Sequence, residues 1–309
     1  MVSRRFATAI VALTVAAVAT VAAAQAYRLG DTNHDNPVNV SAFKPTRTRR
    51  LVGGRVVPAD AADTAAVFFA KVFTPDGFGF FCGASLLDPR HVLTRAGCRA
   101  RVGDVVRVGG VGIFDGLERT VAAVTAHPNY TANGDLYDVA VLRLADPPTA
   151  AAVAAAGLVP VRLNGWAWDE AAAVKPTNFT VAGFGAIDAA GETRGSPVLR
   201  DGTQRLTPWA TCAAVTDQVP IPLAIDAQVC TNMDAAASTA LCANDMGGPL
   251  YIRYAYRGGA VFQLFGVASY WVASDEGPLC PGGGLPNVYT RVEKVRSWVW
   301  GVQAAGWAA

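Results

Sequence analysis

Leu241-Cys242-Ala243-Asn244-Asp245-Met246-Gly247-Gly248-Pro249-Leu250 is the stretch on which the reading of this chain turns. A cysteine, an aspartate and a Gly-Gly-Pro run frame Met246. A thioether has no proton to give up and no oxygen to attack with, so the centre of this frame holds no nucleophile. Further short motifs lie outward from it on both sides. N-terminal to it are Leu51-Val52-Gly53-Gly54, Phe81-Cys82-Gly83-Ala84-Ser85-Leu86-Leu87, His91-Val92-Leu93-Thr94-Arg95-Ala96-Gly97-Cys98, Asp138-Val139-Ala140-Val141-Leu142 and Gly183-Phe184-Gly185. C-terminal to it is Pro286-Asn287-Val288-Tyr289-Thr290-Arg291-Val292.

The 309 residues are 52% hydrophobic and 16% charged, with 31 glycines, which suits a turn-rich globular protein. Of 26 Lys+Arg and 24 Asp+Glu, seven and two fall within residues 1–50. That leaves 19 against 22 from Leu51 onward, a body of about −3. No basic run remains there to suggest a nucleic acid or an anionic membrane as partner.

Arg4 and Arg5 precede an apolar stretch from Phe6 to Ala23, and small residues follow in A-x-A spacing at Ala22/Ala24 and Ala24/Ala26. Residues 1–24 therefore read as a signal peptide cleaved after Ala24 or Ala26. A run of ~18 apolar residues also has the length of a membrane anchor, but its alanine richness and cleavage-like ending favour secretion. The six cysteines all lie after residue 80, and an even number in a secreted chain implies three disulfides whose pairing the spacing leaves open. A zinc site is disfavoured, because no C-x₂-C pair exists and histidines are few.

Residues 27–50 are polar and lack periodic apolar positions, which predicts a flexible pro-segment ending at Arg49-Arg50. Short apolar runs bounded by turn residues follow without intervening helices: Val67–Phe73, Phe78–Leu87, Val105–Val108, Thr120–Ala126 and Val139–Leu144. Such spacing argues for an all-β barrel or sandwich. Ala145–Val159 breaks the pattern as a connection, and a second strand-rich half runs from about Asn178 to Arg291. Val292, Val295, Val299 and Val302 have helical spacing.

The ordered motifs resemble the trypsin-like serine protease family from Leu51 to about Trp300. The resemblance implies an all-β, chymotrypsin-like pair of six-stranded antiparallel barrels with a C-terminal helix. It divides residues 51–309 into a first barrel with the start of the linker (51–158) and a second barrel with the helix (159–309). It also selects the pairings Cys82–Cys98, Cys212–Cys230 and Cys242–Cys280. Arg50 resembles a zymogen processing site that would free the amine of Leu51 to pair with Asp245.

At the family's catalytic positions this chain departs from the pattern. The histidine of Thr-Ala-Ala-His-Cys is Gly97, and the serine of Gly-Asp-Ser-Gly-Gly-Pro is Met246. Asp138 matches the triad aspartate and has no histidine to orient; its carboxylate is expected to accept local backbone hydrogen bonds. Asn244 replaces the oxyanion-hole glycine. In the substrate groove, Ser269-Tyr270-Trp271 replaces Ser-Trp-Gly, Asn287 replaces a further glycine, and Ala240 aligns with the pocket floor. Trp271 and Asn287 are expected to fill or cover the pocket. His91 and His127 are expected to be structural or solvated rather than catalytic.

The sequence thus reads as a secreted, extracellular serine protease homologue without catalysis, needing no cofactor and no metal. It acts by binding, through Trp271, Tyr270, Asn287 and Ala240 together with Trp166 and Trp168 as loop aromatics. The expected partner is a protein, with no nucleic acid and no membrane, and the chain itself is a monomer. The resemblance is closest in style to the glucanase inhibitor proteins of oomycetes, which implies a secreted endo-β-1,3-glucanase (a glycoside hydrolase) as partner. Residual endopeptidase activity and a regulatory role beside an active protease stand as alternatives. Asn39, Asn129 and Asn178 open glycosylation sequons, with Asn178 expected to be shielded by its strand.

Overall fold

The computed structural model describes residues 27–29, 38–39, 54–58, 63–132, 136–166, 178–187, 195–216, 223–231, 239–274, 280 and 285–308. Arg50, Leu51, Trp168 and the signal peptide lie outside these. Within residues 27–50, expected to be free of regular structure, there are two short strands, β1 (Tyr27–Leu29) and β2 (Val38–Asn39). β1 pairs antiparallel with Val272–Ser274 and β2 with Gly79–Phe80. Apolar periodicity could not foretell this, because edge pairing is made by backbone groups that any sequence carries.

The first sheet is built on β4 (Phe69–Phe73), β5 (Gly79–Asp88), β6 (His91–Thr94), β7 (Val105–Val108), β8 (Leu117–Ala126) and β9 (Ala140–Leu144). The order β5-β4-β7-β8-β9-β6 closes through a further β5–β6 pairing, so these six strands form a barrel. Val67, expected to open the first strand, instead ends a 3₁₀ turn (Ala65–Val67) that Thr64 caps, its hydroxyl accepting from the Ala66 N–H.

The second sheet holds β3 (Arg55–Val56), β10 (Arg162–Leu163), β11 (Asn178–Gly183), β12 (Arg200–Arg205), β13 (Gln228–Thr231), β14 (Pro249–Tyr256), β15 (Gly259–Ser274) and β16 (Asn287–Arg291). Its path is β13-β16-β15-β14-β11-β12-β3, with β1 and β10 added on β15. The linker between the halves contains α1 (Ala150–Ala155), capped by the Thr149 hydroxyl. A short α2 (Trp209–Thr216) leads to the Cys212–Cys230 bridge.

The terminal helix expected from the valine spacing is α3 (Val292–Ala308), and Val292, Val295 and Val299 are all buried. It is held against the first barrel as well: Gln303 donates to the Asp88 carboxylate, and Trp298 meets His127 edge-on at 4.8 Å. His91 is wholly buried, with its Nδ1 2.9 Å from Asp88. His127 also stacks on Tyr137 at 4.9 Å, and burial pushes its pKa down. Both histidines therefore have structural surroundings.

The two halves meet through aromatic rings, Phe68 against Tyr251 at 5.1 Å and Phe69 against Phe184 at 5.5 Å. Beside them the β5 backbone reaches the 241–250 stretch, where the Gly83 N–H donates to the Met246 carbonyl at 2.8 Å. The three disulfides join Cys82–Cys98, Cys212–Cys230 and Cys242–Cys280, the pairing the resemblance implied.

Candidate functional site

Asp138 enters the site just before β9 and is wholly buried. Its Oδ1 accepts from the backbone N–H of Gly97 at 2.7 Å, the local hydrogen bond expected of it. Two further donors were not foreseen. The Arg95 Nε lies 2.7 Å from Oδ2, and the Ser269 hydroxyl donates to the same oxygen at 2.6 Å. Ser269 reaches it because the β15–β16 register slips between Ala268 and Tyr270, which re-aims the residue between them. Thr290 adds a bond from its hydroxyl to the Asp138 carbonyl at 3.2 Å.

Arg95 decides what this cluster is. Its side chain is 1% exposed and folds back over Gly97. A Cβ on Gly97 would stand 2.6 Å from the Arg95 Cζ and 2.7 Å from its Nε, inside the guanidinium's contact distance. The space a side chain at 97 would need is therefore filled by the side chain at 95. A signal for this was present in the sequence, an arginine within an otherwise apolar and small-residue run, but it could be read only with the burial in hand.

Met246 is 3% exposed and belongs to the hydrophobic core that joins the halves. Asn244, two residues before it, takes φ +70°, a left-handed conformation that asparagine tolerates better than most residues. Asp245 is wholly buried and accepts from the N–H groups of Gly185 at 2.8 Å and Cys242 at 3.1 Å. Burial pushes its pKa up to about 7, against the pull of those two donors. Gly183 and Gly185 leave the room it occupies: a Cβ on either would collide with the carboxylate. The Leu51 amine expected to pair with Asp245 lies outside the described residues.

The groove residues are placed differently from one sequence expectation. Tyr270 and Trp271, proposed as exposed anchors, are both wholly buried, as are Ala240 and Asn287. Trp271 pairs in register with Asn287 across β15 and β16. The burial of the two aromatics comes from cover on both faces of β15: Trp271 belongs to the main hydrophobic core, and Tyr270 packs in a second cluster with Cys212, Cys230, Val272 and Val288. Of the loop aromatics, Trp166 is exposed, as expected. Asn129 is exposed, and so is Asn178, contrary to the expected shielding, because it opens β11 before the strand enters the core. Among the described residues no cluster of His, Cys, Asp and Glu could hold a metal ion. No helix among them is long and apolar enough to cross a membrane.

Residues 52–299 match the family model described as Trypsin. This chain belongs to the trypsin family. Among curated relatives, the trypsin-family chain is 29% identical over 256 residues to Brachyurin of Leptuca pugilator, covering 81% of this chain and 96% of that protein. It is 30% identical over 260 residues to Trypsin 5G1 of Aedes aegypti, covering 81% and 84%. It is also 26% identical over 242 residues to Phenoloxidase-activating factor 3 of Holotrichia diomphalia, covering 71% and 63%. The three-disulfide, double-barrel architecture is the trypsin-family fold, and it accords with an extracellular setting.

Proposed function

We propose that this trypsin-family chain is a secreted protein that binds rather than hydrolyses. One observation carries the reading: the buried guanidinium of Arg95 is paired with Asp138 and takes the room of any side chain at Gly97. A guanidinium stays protonated at every physiological pH, so it accepts no proton from a nucleophile. Asp138 is engaged by a fixed cation instead of orienting a base. Met246 supplies no attacking oxygen. Loss of the serine or histidine of such a triad alone costs on the order of 10⁶ in turnover.

The most concrete form of the reading is inhibition of an endo-β-1,3-glucanase by a monomeric effector; the named relatives lend it no support, and a glucanase assay with the purified chain decides it. A second reading is residual serine endopeptidase activity, which the protease names among the relatives favour. Fluorophosphonate labelling and peptide-ester turnover by the purified chain separate the two. The expected result is no labelling and turnover no faster than a heat-killed sample; labelling above that background would overturn the binding reading.

A further inference from the structure

Five large aromatic side chains are exposed on the described surface; Phe78 and Phe114 belong to the first barrel and are apolar throughout, whereas Trp166, Trp300 and Tyr256, exposed by 60%, 52% and 48%, carry a polar edge. Two of them, Tyr256 and Trp300, lie against arginine side chains. The guanidinium carbons of Arg162 and Arg257 lie 5.8 and 5.3 Å from the centre of the Tyr256 ring, and that of Arg296 lies 4.7 Å from the Trp300 ring. The groups are joined along the chain. β10 carries Arg162 and pairs with β15, and the backbone continues through Asn164, whose N–H donates to Leu264, to Gly165 against the Arg296 guanidinium. Trp166 follows, edge-on to buried Phe265 at 6.3 Å. The result is a row of alternating rings and guanidinium groups, running from the tip of the β14–β15 hairpin to α3.

Among the described residues none of these three arginines has a carboxylate in salt-bridge range. Elsewhere on the surface Arg107 pairs with Glu118, Arg253 with Asp63 and Arg55 with Asp201. Among the described residues the row is therefore a positive line without carboxylate partners, on a body whose net charge from Leu51 onward is about −3. Attraction of an anion would have to come from this line and not from overall charge.

We propose that this row binds an anionic polysaccharide carrying sulfate or carboxylate groups. A guanidinium fork matches the paired oxygens of either group. Exposed indole and phenol rings give flat apolar area at which a sugar ring can rest, with a polar edge for its hydroxyls. Charge and ring alternate along a line without an apolar centre. This suits a linear repeating ligand better than a protein partner, whose contacts concentrate on a buried hot spot within a dry core. The three disulfides place the domain in an oxidising compartment, where sulfated and uronate polysaccharides rather than nucleic acids are the common polyanions. The proposal is independent of whether the chain hydrolyses peptides.

The test is titration of the full chain with heparin, with neutral dextran and a polyglutamate peptide in parallel, at two salt concentrations. Heparin is expected to bind, more weakly at the higher salt, with dextran and polyglutamate failing to compete. Arg162→Ala/Arg257→Ala is expected to weaken heparin binding by tenfold or more at unchanged melting temperature, and adding Arg296→Ala to weaken it further. Arg101→Ala/Arg119→Ala, on the first barrel, is expected to leave it unaltered. The proposal fails if heparin does not bind, if the first pair leaves affinity unchanged, if the first-barrel pair lowers it equally, or if polyglutamate or dextran binds as tightly.

Discussion

The Arg95 Nε and the Asp138 Oδ2 are 2.7 Å apart with both side chains sealed from solvent. The ion pair sits beneath a glycine whose missing side chain makes room for it. A buried pair contributes little when whole but costs heavily when halved, because the remaining charge is left without its partner. Arg95→Ala is therefore expected to destabilise the fold by about 3 kcal/mol in chemical denaturation, the Gly97 N–H and the Ser269 hydroxyl still serving the carboxylate. Loss below 1 kcal/mol would show that the guanidinium contributes little there.

The same geometry governs any attempt to install catalysis. Gly97→His/Met246→Ser places an imidazole into the guanidinium of Arg95, so the doubly substituted protein is expected to show no fluorophosphonate labelling. Adding Arg95→Ala empties the space and leaves Asp138 free to orient the new imidazole. Labelling and ester turnover at least tenfold above the double variant are expected only then. Equal labelling of the double and triple variants would show that Arg95 does not block the position.

Asp245 supplies a pH dependence. Its folded pKa, raised by burial to about 7, stands above the ordinary carboxylate value of 3.8. The folded state thus holds the proton more tightly than the unfolded one, and this group's contribution to stability declines as pH rises from about 4 to about 7. In the chain uncleaved at Arg50, Asp245→Asn is expected to raise stability at pH 8 and change it little at pH 4. Cleavage after Arg50 is expected to reduce that difference if the freed amine of Leu51 reaches the carboxylate. Melting curves of both forms across this range read the sign directly.

Lys71 is a wholly buried lysine whose Nζ donates to the carbonyls of Gly109 at 2.6 Å, Gly112 at 3.2 Å and Asp115 at 2.7 Å. It acts as an internal hydrogen-bond donor that gathers the loop between β7 and β8. Burial pushes its pKa down to about 7, partly offset by the charge of Asp115. Because the folded value lies below the unfolded one, this group's cost is largest below pH 7 and is relieved as pH rises towards 10. Lys71→Met removes the ammonium donor from three carbonyls, of which Gly112 keeps the Asp115 N–H, and is expected to cost about 2 kcal/mol and to speed amide exchange at Gly112 and Asp115. Unchanged exchange there would show that the loop holds itself.

What the sequence by itself determined was whatever rests on local chemistry and ordered motifs. The strand-rich halves, the helix at Val292 and the identities at 97 and 246 were legible because strand period, turn residues and side-chain type are properties of short stretches, while the barrel pair and the cysteine pairing were implied by the resemblance that the ordered motifs carry. Only the tertiary structure decided where side chains distant in the chain come to rest. Arg95 and Asp138 are separated by 43 positions, and Ser269 by 131 from the same carboxylate. Tyr270 and Trp271 look like exposed aromatics until both faces of β15 are seen to be covered, one by the main core and the other by the cluster at Cys212–Cys230. Arg162, Arg257 and Arg296 form a row only because a parallel strand pairing carries β10 alongside β15 beneath α3. Burial and charge pairing are collective properties of the packed chain, so the composition of a segment does not contain them.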